Sequence, residues 1–205
     1  MLVMRVFIAV LVLIFSLQSW TKADDISDFE IEGMSIGDSL LDYFSKNEMK
    51  KFLKADTTHF YNNSDYVIIG IYKGNQNSIS FNNYRSLGIT INKKDSKYKI
   101  LSIAGQNYSY DDINDCNATQ ASIANDIKKD VLEKNINEDI WENDKYAWGE
   151  TVVGKSKMHD FLFNDNSAVR IICYELNDEA KEDAGWKVKM EVVINSKEYN
   201  EYLMQ

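Results

Sequence analysis

Two cysteines, each set in the apolar face of a different periodic pattern, constrain this chain more than any other feature. Cys116 lies with Ile123, Ile127 and Val131 on a stripe at helical spacing within 111–135, with Lys128, Lys129 and Glu133 outside it. Cys173 shares a period-two face with Val169 and Ile171 in the run 168–176. Both point into a core, and a bond between them would staple a helix to a sheet. Their spacing fits no zinc or redox motif. Closing a loop of this length would stabilise the fold by about 4 kcal/mol in the chain-entropy model. Two buried free thiols are the alternative.

The rest of the chain supplies the sheet. Runs at 58–62, 66–73, 86–92 and 97–104 are rich in Tyr, Ile and Val, and Asn62-Asn63-Ser64-Asp65, Gly74-Asn75 and Lys94-Asp95-Ser96 punctuate them as turns. Leu87, Ile89 and Ile91 alternate with Gly88, Thr90 and Asn92, the pattern of a half-buried antiparallel strand. Strands resume at 146–153, 160–163, 168–176 and 186–194, and Ser196 can cap a final helix carrying Tyr199 and Leu203. The expected class is α+β: antiparallel sheet with a long helix packed on one face. Helix, strands, long helix, strands is an order that suggests two similar halves, 24–110 and 111–205, with 60–71 and 163–174 sharing a pattern in which Ser64 matches Ser167. Two ordinary hairpins are the alternative account.

Residues 1–23 have the anatomy of a secretory signal peptide: Arg5, a twelve-residue run at 6–17 in which only Ser16 is not apolar, and Thr21-Lys22-Ala23 at the cleavage point. An uncleaved anchor is the rival, but the run is well short of the roughly 20 residues that span a bilayer. Residues 24–205 are then expected to form one secreted or periplasmic bacterial domain, in a compartment that permits a disulfide. Losing Arg5 and Lys22 leaves 21 basic against 32 acidic side chains, a net charge of −11. Such a chain has no electrostatic reason to seek nucleic acid or an anionic membrane surface. Acidic clusters at 24–32, 138–144 and 175–183 are read as solvated loops. The absence of proline, where average usage of about 5% would give roughly ten, fits an AT-rich genome better than a structural demand.

The stretch from Glu32 to Phe44 carries the chemistry-bearing motifs. Gly33-Met34-Ser35-Ile36-Gly37 matches the G-x-S-x-G nucleophile elbow, and Gly37-Asp38-Ser39-Leu40 resembles the opening block of the GDSL (SGNH) esterases. That resemblance implies a compact three-layer fold in which Ser39 is the nucleophile. Asp56-Thr57-Thr58-His59 has the spacing of the family's D-x-x-H block, which makes His59 the base and Asp56 its orienting acid. The sequence departs from the family in block order: D-x-x-H follows Ser39 by 20 residues instead of lying near the C-terminus. The Asp of the family's G-x-N-D block is replaced by Tyr108. The same stretch also reads as a helix start, with Ser35 as cap, Asp38 three residues on, and Ile36, Leu40, Leu41, Tyr43 and Phe44 on one face. Ser45-Lys46-Asn47-Glu48 is a second capping box.

Two histidines a hundred residues apart, His59 and His159, make no zinc motif, and no EF-hand pattern occurs, so no metal or cofactor is expected. Trp141, Tyr146 and Trp148 could line a binding surface or pack as a rim. The run from Phe29 to Leu41 is similar to the opening of uncharacterised secreted proteins of AT-rich marine bacteria. It also resembles the G-M-[ST] helix start of the SmpA/BamE and β-lactamase-inhibitor-like α+β modules, without the Leu-Gly-x-Pro that closes that helix. The second resemblance implies a protein-interaction or assembly role. The sequence is therefore expected to encode a non-catalytic binding protein of an unidentified protein or small molecule. A small serine esterase is the alternative.

Overall fold

The computed structural model describes residues 25–55, 57–60, 64–74, 81–131, 136–148 and 151–205. The expected leader and Asp56 lie outside the described residues. Two two-residue strands, β1 (Glu30–Ile31) and β2 (Met34–Ser35), pair as a hairpin. Eight more strands follow: β3 (Thr58–Phe60), β4 (Tyr66–Tyr72), β5 (Ser86–Asn92), β6 (Ile100–Tyr110), β7 (Ile136–Trp148), β8 (Thr151–Phe163), β9 (Ala168–Leu176) and β10 (Val188–Asn195). They form one sheet in the order β3-β4-β5-β6-β10-β9-β8-β7, antiparallel at every pairing. Among the described residues four helices complete the α+β fold: α1 (Lys46–Phe52), α2 (Ile113–Asp130), α3 (Asp178–Ala184) and α4 (Lys197–Leu203).

Local chemistry fixes most boundaries. Ser45 and Glu48 close a reciprocal capping box on α1. Asp112, Asn177 and Ser196 cap the other three helices through side-chain oxygens. Gly185, at φ 74°, ends α3 in the left-handed conformation that glycine adopts without strain. Period-two alternation then places one side of every inner strand in the core. Ile69, Ile89, Ile103, Ile171 and Ile194 are buried in a single cluster with Leu40, Phe44, Met49, Cys116, Ala124 and Ile127.

Cys116 of α2 and Cys173 of β9 are joined by a disulfide, with 6.0 Å between Cα atoms. One turn along α2, the fully buried Gln120 donates from Nε2 to the carbonyls of Lys157 at 2.9 Å and Ile171 at 2.7 Å. The helix is thus tied to β8 and β9 by one covalent and two polar links.

Four expectations need correction. No helix starts at Ser35. That residue ends β2, its N–H donating to Asp38 Oδ2 at 2.9 Å, and Gly37 at φ 91° breaks any helical path. Ser39 instead caps a short 3-10 turn at Leu40–Asp42. Second, the acidic run 138–144 is not a loop but the body of β7, and of the run 146–153 residues 146–148 belong to β7 and 151–153 to β8. Third, residues 178–183 form α3 where a loop was expected. Fourth, the strand expected at 186–194 begins at Val188, and Trp186 before it lies beside Tyr108 and Lys189 rather than on the core face of the strand. In the strand order β3–β6 and β7–β10 are two runs of four that meet at β6 and β10; α1 precedes the first, α2 the second, and α3 lies between β9 and β10.

Candidate functional site

Ser39 sits beside the start of β6, in an isolated antiparallel bridge with Lys99. Its hydroxyl donates to the Lys97 carbonyl at 2.6 Å and accepts from the Leu41 N–H at 3.2 Å. Both bonds are to backbone, the work of a cap. His59 is exposed on β3 and His159 is buried on β8. These strands lie three places from β6 on opposite sides of the sheet. Neither histidine is among the hydrogen-bond partners of Ser39 in the described residues.

His159 belongs to another arrangement. Its Nδ1 lies 3.3 Å from Oε1 of Glu138 on β7, whose Oε2 meets Lys128 Nζ of α2 at 2.6 Å. Burial pushes the Glu138 carboxyl up, but the bonds from Lys128 and His159 outweigh it and hold the pKa below its ordinary value. Lys128 lies in the last turn of α2, where the helix dipole favours a cation. The trio ties the end of the helix to the outer hairpin.

A second polar group escaped sequence reasoning entirely. The side of the sheet opposite the core carries Tyr174, Lys189, Glu191, Gln106 and Tyr108. Lys189 and Glu191, only 12% and 14% exposed, are 3.4 Å apart. Lys189 Nζ lies 4.4 Å from the centre of the Tyr174 ring and 5.4 Å from that of Trp186. Gln106 Nε2 donates to Glu191 at 2.7 Å, and Tyr108 and Ser86 both hydrogen-bond to Gln106 Oε1. The lysine is thus already enclosed by rings and a carboxylate, so this box holds its own cation. The signal was present as alternation: Lys187, Lys189 and Glu191 occupy the face not claimed by the core. Sequence alone could not say which aromatics sit beside them.

Strand β7 is the most exposed element of the sheet. It runs thirteen residues at one end of the strand order, paired among the described residues only with β8. Two apolar side chains at its middle point to opposite faces and are largely exposed, Ile140 at 55% and Trp141 at 58%. Carboxylates flank them: Glu138 and Glu142 on the Ile140 face, Asp139 beside Trp141, and Asp144 beyond. Glu142 is paired with Lys157 at 2.9 Å. Asp139 and Asp144 have no ion pair among the described residues. Of the three aromatics expected to line a surface, Trp141 is open to solvent, whereas Tyr146 packs on Tyr174 with ring centres 4.7 Å apart. The Trp148 side chain lies outside what is described.

A cavity of about 250 Å³ opens between the start of α2 and the β7–β8 hairpin, lined by Asn114, Asn117, Glu142, Lys155 and Lys157 among others. Its two lysines are paired, Lys157 with Glu142 inside the cavity and Lys155 with Glu175 outside it, and Asp144 also lines it. Among the described residues no three His, Cys, Asp or Glu side chains cluster as a metal site, and no helix is long and apolar enough to cross a membrane. No family model, curated protein or solved structure matches the chain significantly.

Proposed function

We propose that this chain is an extracytoplasmic, non-catalytic interaction protein that engages its partner along β7. One observation carries the reading: a thirteen-residue strand whose outer edge no described strand pairs, exposing Ile140 and Trp141 on its two faces. Unpaired strand edges invite another strand, and natural proteins usually blunt them with short length or cover. The opposite edge strand, β3, is three residues long, as that rule expects. β7 is not.

In this reading residues 1–23 direct the chain to a compartment where Cys116 and Cys173 oxidise, and 24–205 act as one domain. Helix α2 covers one face of the sheet, leaving the outer hairpin free to engage a partner. The paired helix-plus-meander order is consistent with an ancestral duplication. The esterase alternative draws no support from the geometry, since the Ser39 hydroxyl is bonded to backbone on both sides.

Site-specific photo-crosslinking in the native cells tests the reading. A photoreactive residue at position 141 should give a defined adduct with a second molecule, and one at the exposed Leu203 should not. Equal yields from both positions, together with fluorophosphonate labelling lost in Ser39→Ala, would replace the interaction protein with the esterase.

A further inference from the structure

We infer that the partner is a cationic segment that adds to β7 as a ninth strand. This rests on the interaction reading above and specifies its chemistry.

Backbone pairing gives such a contact its affinity, and side chains opposite one another across the two strands give it selectivity. From Glu138 to Asp144, β7 reads acid, acid, Ile, Trp, acid, Asn, acid. A complementary strand would set Lys or Arg against Asp139 and beside Glu138 and Glu142, which Lys128 and Lys157 already engage from within the chain, with Asp144 just past the regular pairing, and two apolar or aromatic residues against Ile140 and Trp141. The alternation sends one apolar contact to each face of the extended sheet, so neither Ile140 nor Trp141 stays in water. Each would be covered at about 25 cal/mol per Å² of apolar area removed.

The usable edge has a defined end. Register shifts fall between Asn143 and Tyr146 and between Tyr146 and Ala147. Such irregularities twist a strand and interrupt regular pairing, so 136–143 is the straight part. A segment of about seven residues fits it.

A second copy of this chain fits badly. Edge-to-edge pairing of two β7 strands would oppose carboxylate to carboxylate across most of the contact, with Lys145 the only base in either strand. Like charges directly opposite destabilise a pair, and each chain already carries a net charge of −9. An acidic chain steers cationic partners instead, in a salt-dependent way.

The test uses the full oxidised chain and the peptide Lys-Lys-Val-Tyr-Lys-Thr-Lys. Controls are the same peptide with Glu for Lys and a form methylated at alternate backbone amides. Amide hydrogen exchange in 136–143 should slow about tenfold when the cationic peptide is bound. Neither control should slow it. Asp139→Lys with Asp144→Lys should weaken binding about tenfold, since neither carboxylate has an ion pair among the described residues. Three results would overturn the inference. Slowed exchange on other strands would move the site while leaving an interaction protein. Sedimentation showing a dimer at micromolar concentration would make the occupant a second copy. Unchanged exchange throughout at millimolar peptide would make the acidic edge a guard against strand addition, whatever the crosslinking at position 141 reports.

Discussion

Gln120 Nε2 donates to the carbonyl of Ile171 at 2.7 Å, one turn from Cys116 on the helix and two residues from Cys173 on the strand. The polar and covalent links therefore act on the same pair of elements. The Gln120 side chain is fully buried and its Oε1 has no partner among the described residues. Removing the amide forfeits two good bonds but also one stranded acceptor. Gln120→Met should cost about 1 kcal/mol, less than the 1–3 kcal/mol typical of breaking a buried bond on one side. Replacing both cysteines with Ala should cost about 4 kcal/mol. Urea denaturation of the two variants distinguishes them. A larger loss for Gln120→Met than for the double Cys variant would reverse the assignment of which link matters more.

The pH dependence of stability has a defined sign. The Glu32 carboxylate accepts the N–H groups of Asn82, Asn83 and Tyr84 at 2.8, 2.7 and 2.9 Å. Burial alone would push its pKa up, but those three donors and Lys73 bring it below the ordinary 4.5. Glu138 is lowered in the same direction. The unfolded chain binds protons at these groups before the folded one does, so stability rises with pH between the two values. It is fully present above about pH 4.5 and falls as pH drops through the folded values. Thermal melts from pH 6 to pH 3 should show that decline, and Glu32→Gln should flatten it. A melt that rises on acidification would contradict both assignments.

How much of this could be read in advance depends on whether a pattern is local. Ser45 and Glu48 specify a helix start by themselves, and Val188, Met190, Val192 and Ile194 specify a strand face, although Trp186, read with them, lies outside the strand beside Lys189. Both were legible in the sequence, as was the Cys116–Cys173 pairing, because helical and strand periodicities independently set each thiol inward. β7 was not legible. Its side chains are exposed on both faces, so no hydrophobic alternation marks it, and only pairing with β8 makes it a strand. Ser35 misled for a related reason. Its capping-type bond with Asp38 exists, yet Glu32 and Gly33 at positive φ have already turned the chain into a hairpin. The box around Lys189 draws on β5, β6, β9 and β10, and no local pattern announces a cluster assembled from four strands.

That box makes its own prediction. Lys189 and Glu191 are mostly withdrawn from water, so removing one charge strands the other. Lys189→Met should destabilise by roughly 3 kcal/mol. Glu191→Gln in the same chain should recover part of that loss, because Gln can still bond Gln106 without carrying an unpaired charge. A double-mutant cycle should give a coupling of roughly 1–3 kcal/mol. Additive effects would mean that the rings of Tyr174 and Trp186, rather than Glu191, hold the lysine.

Ser39 separates the two functional readings by opposite effects of one substitution. As a cap, its hydroxyl holds the Leu40–Asp42 turn through Leu41 and anchors it to the chain before β6 through Lys97. Ser39→Ala breaks both bonds and should cost about 1 kcal/mol, read as a lowered denaturation midpoint with unchanged slope. The unmodified chain should also fail to react with a fluorophosphonate, because a hydroxyl that donates to a carbonyl has no base to take its proton. His59→Gln, on β3 three places from β6 in the strand order, should leave both stability and reactivity unaltered. Labelling of Ser39 that His59→Gln abolishes would require the chain to bring β3 and the 3-10 turn together in solution, and would reinstate the esterase.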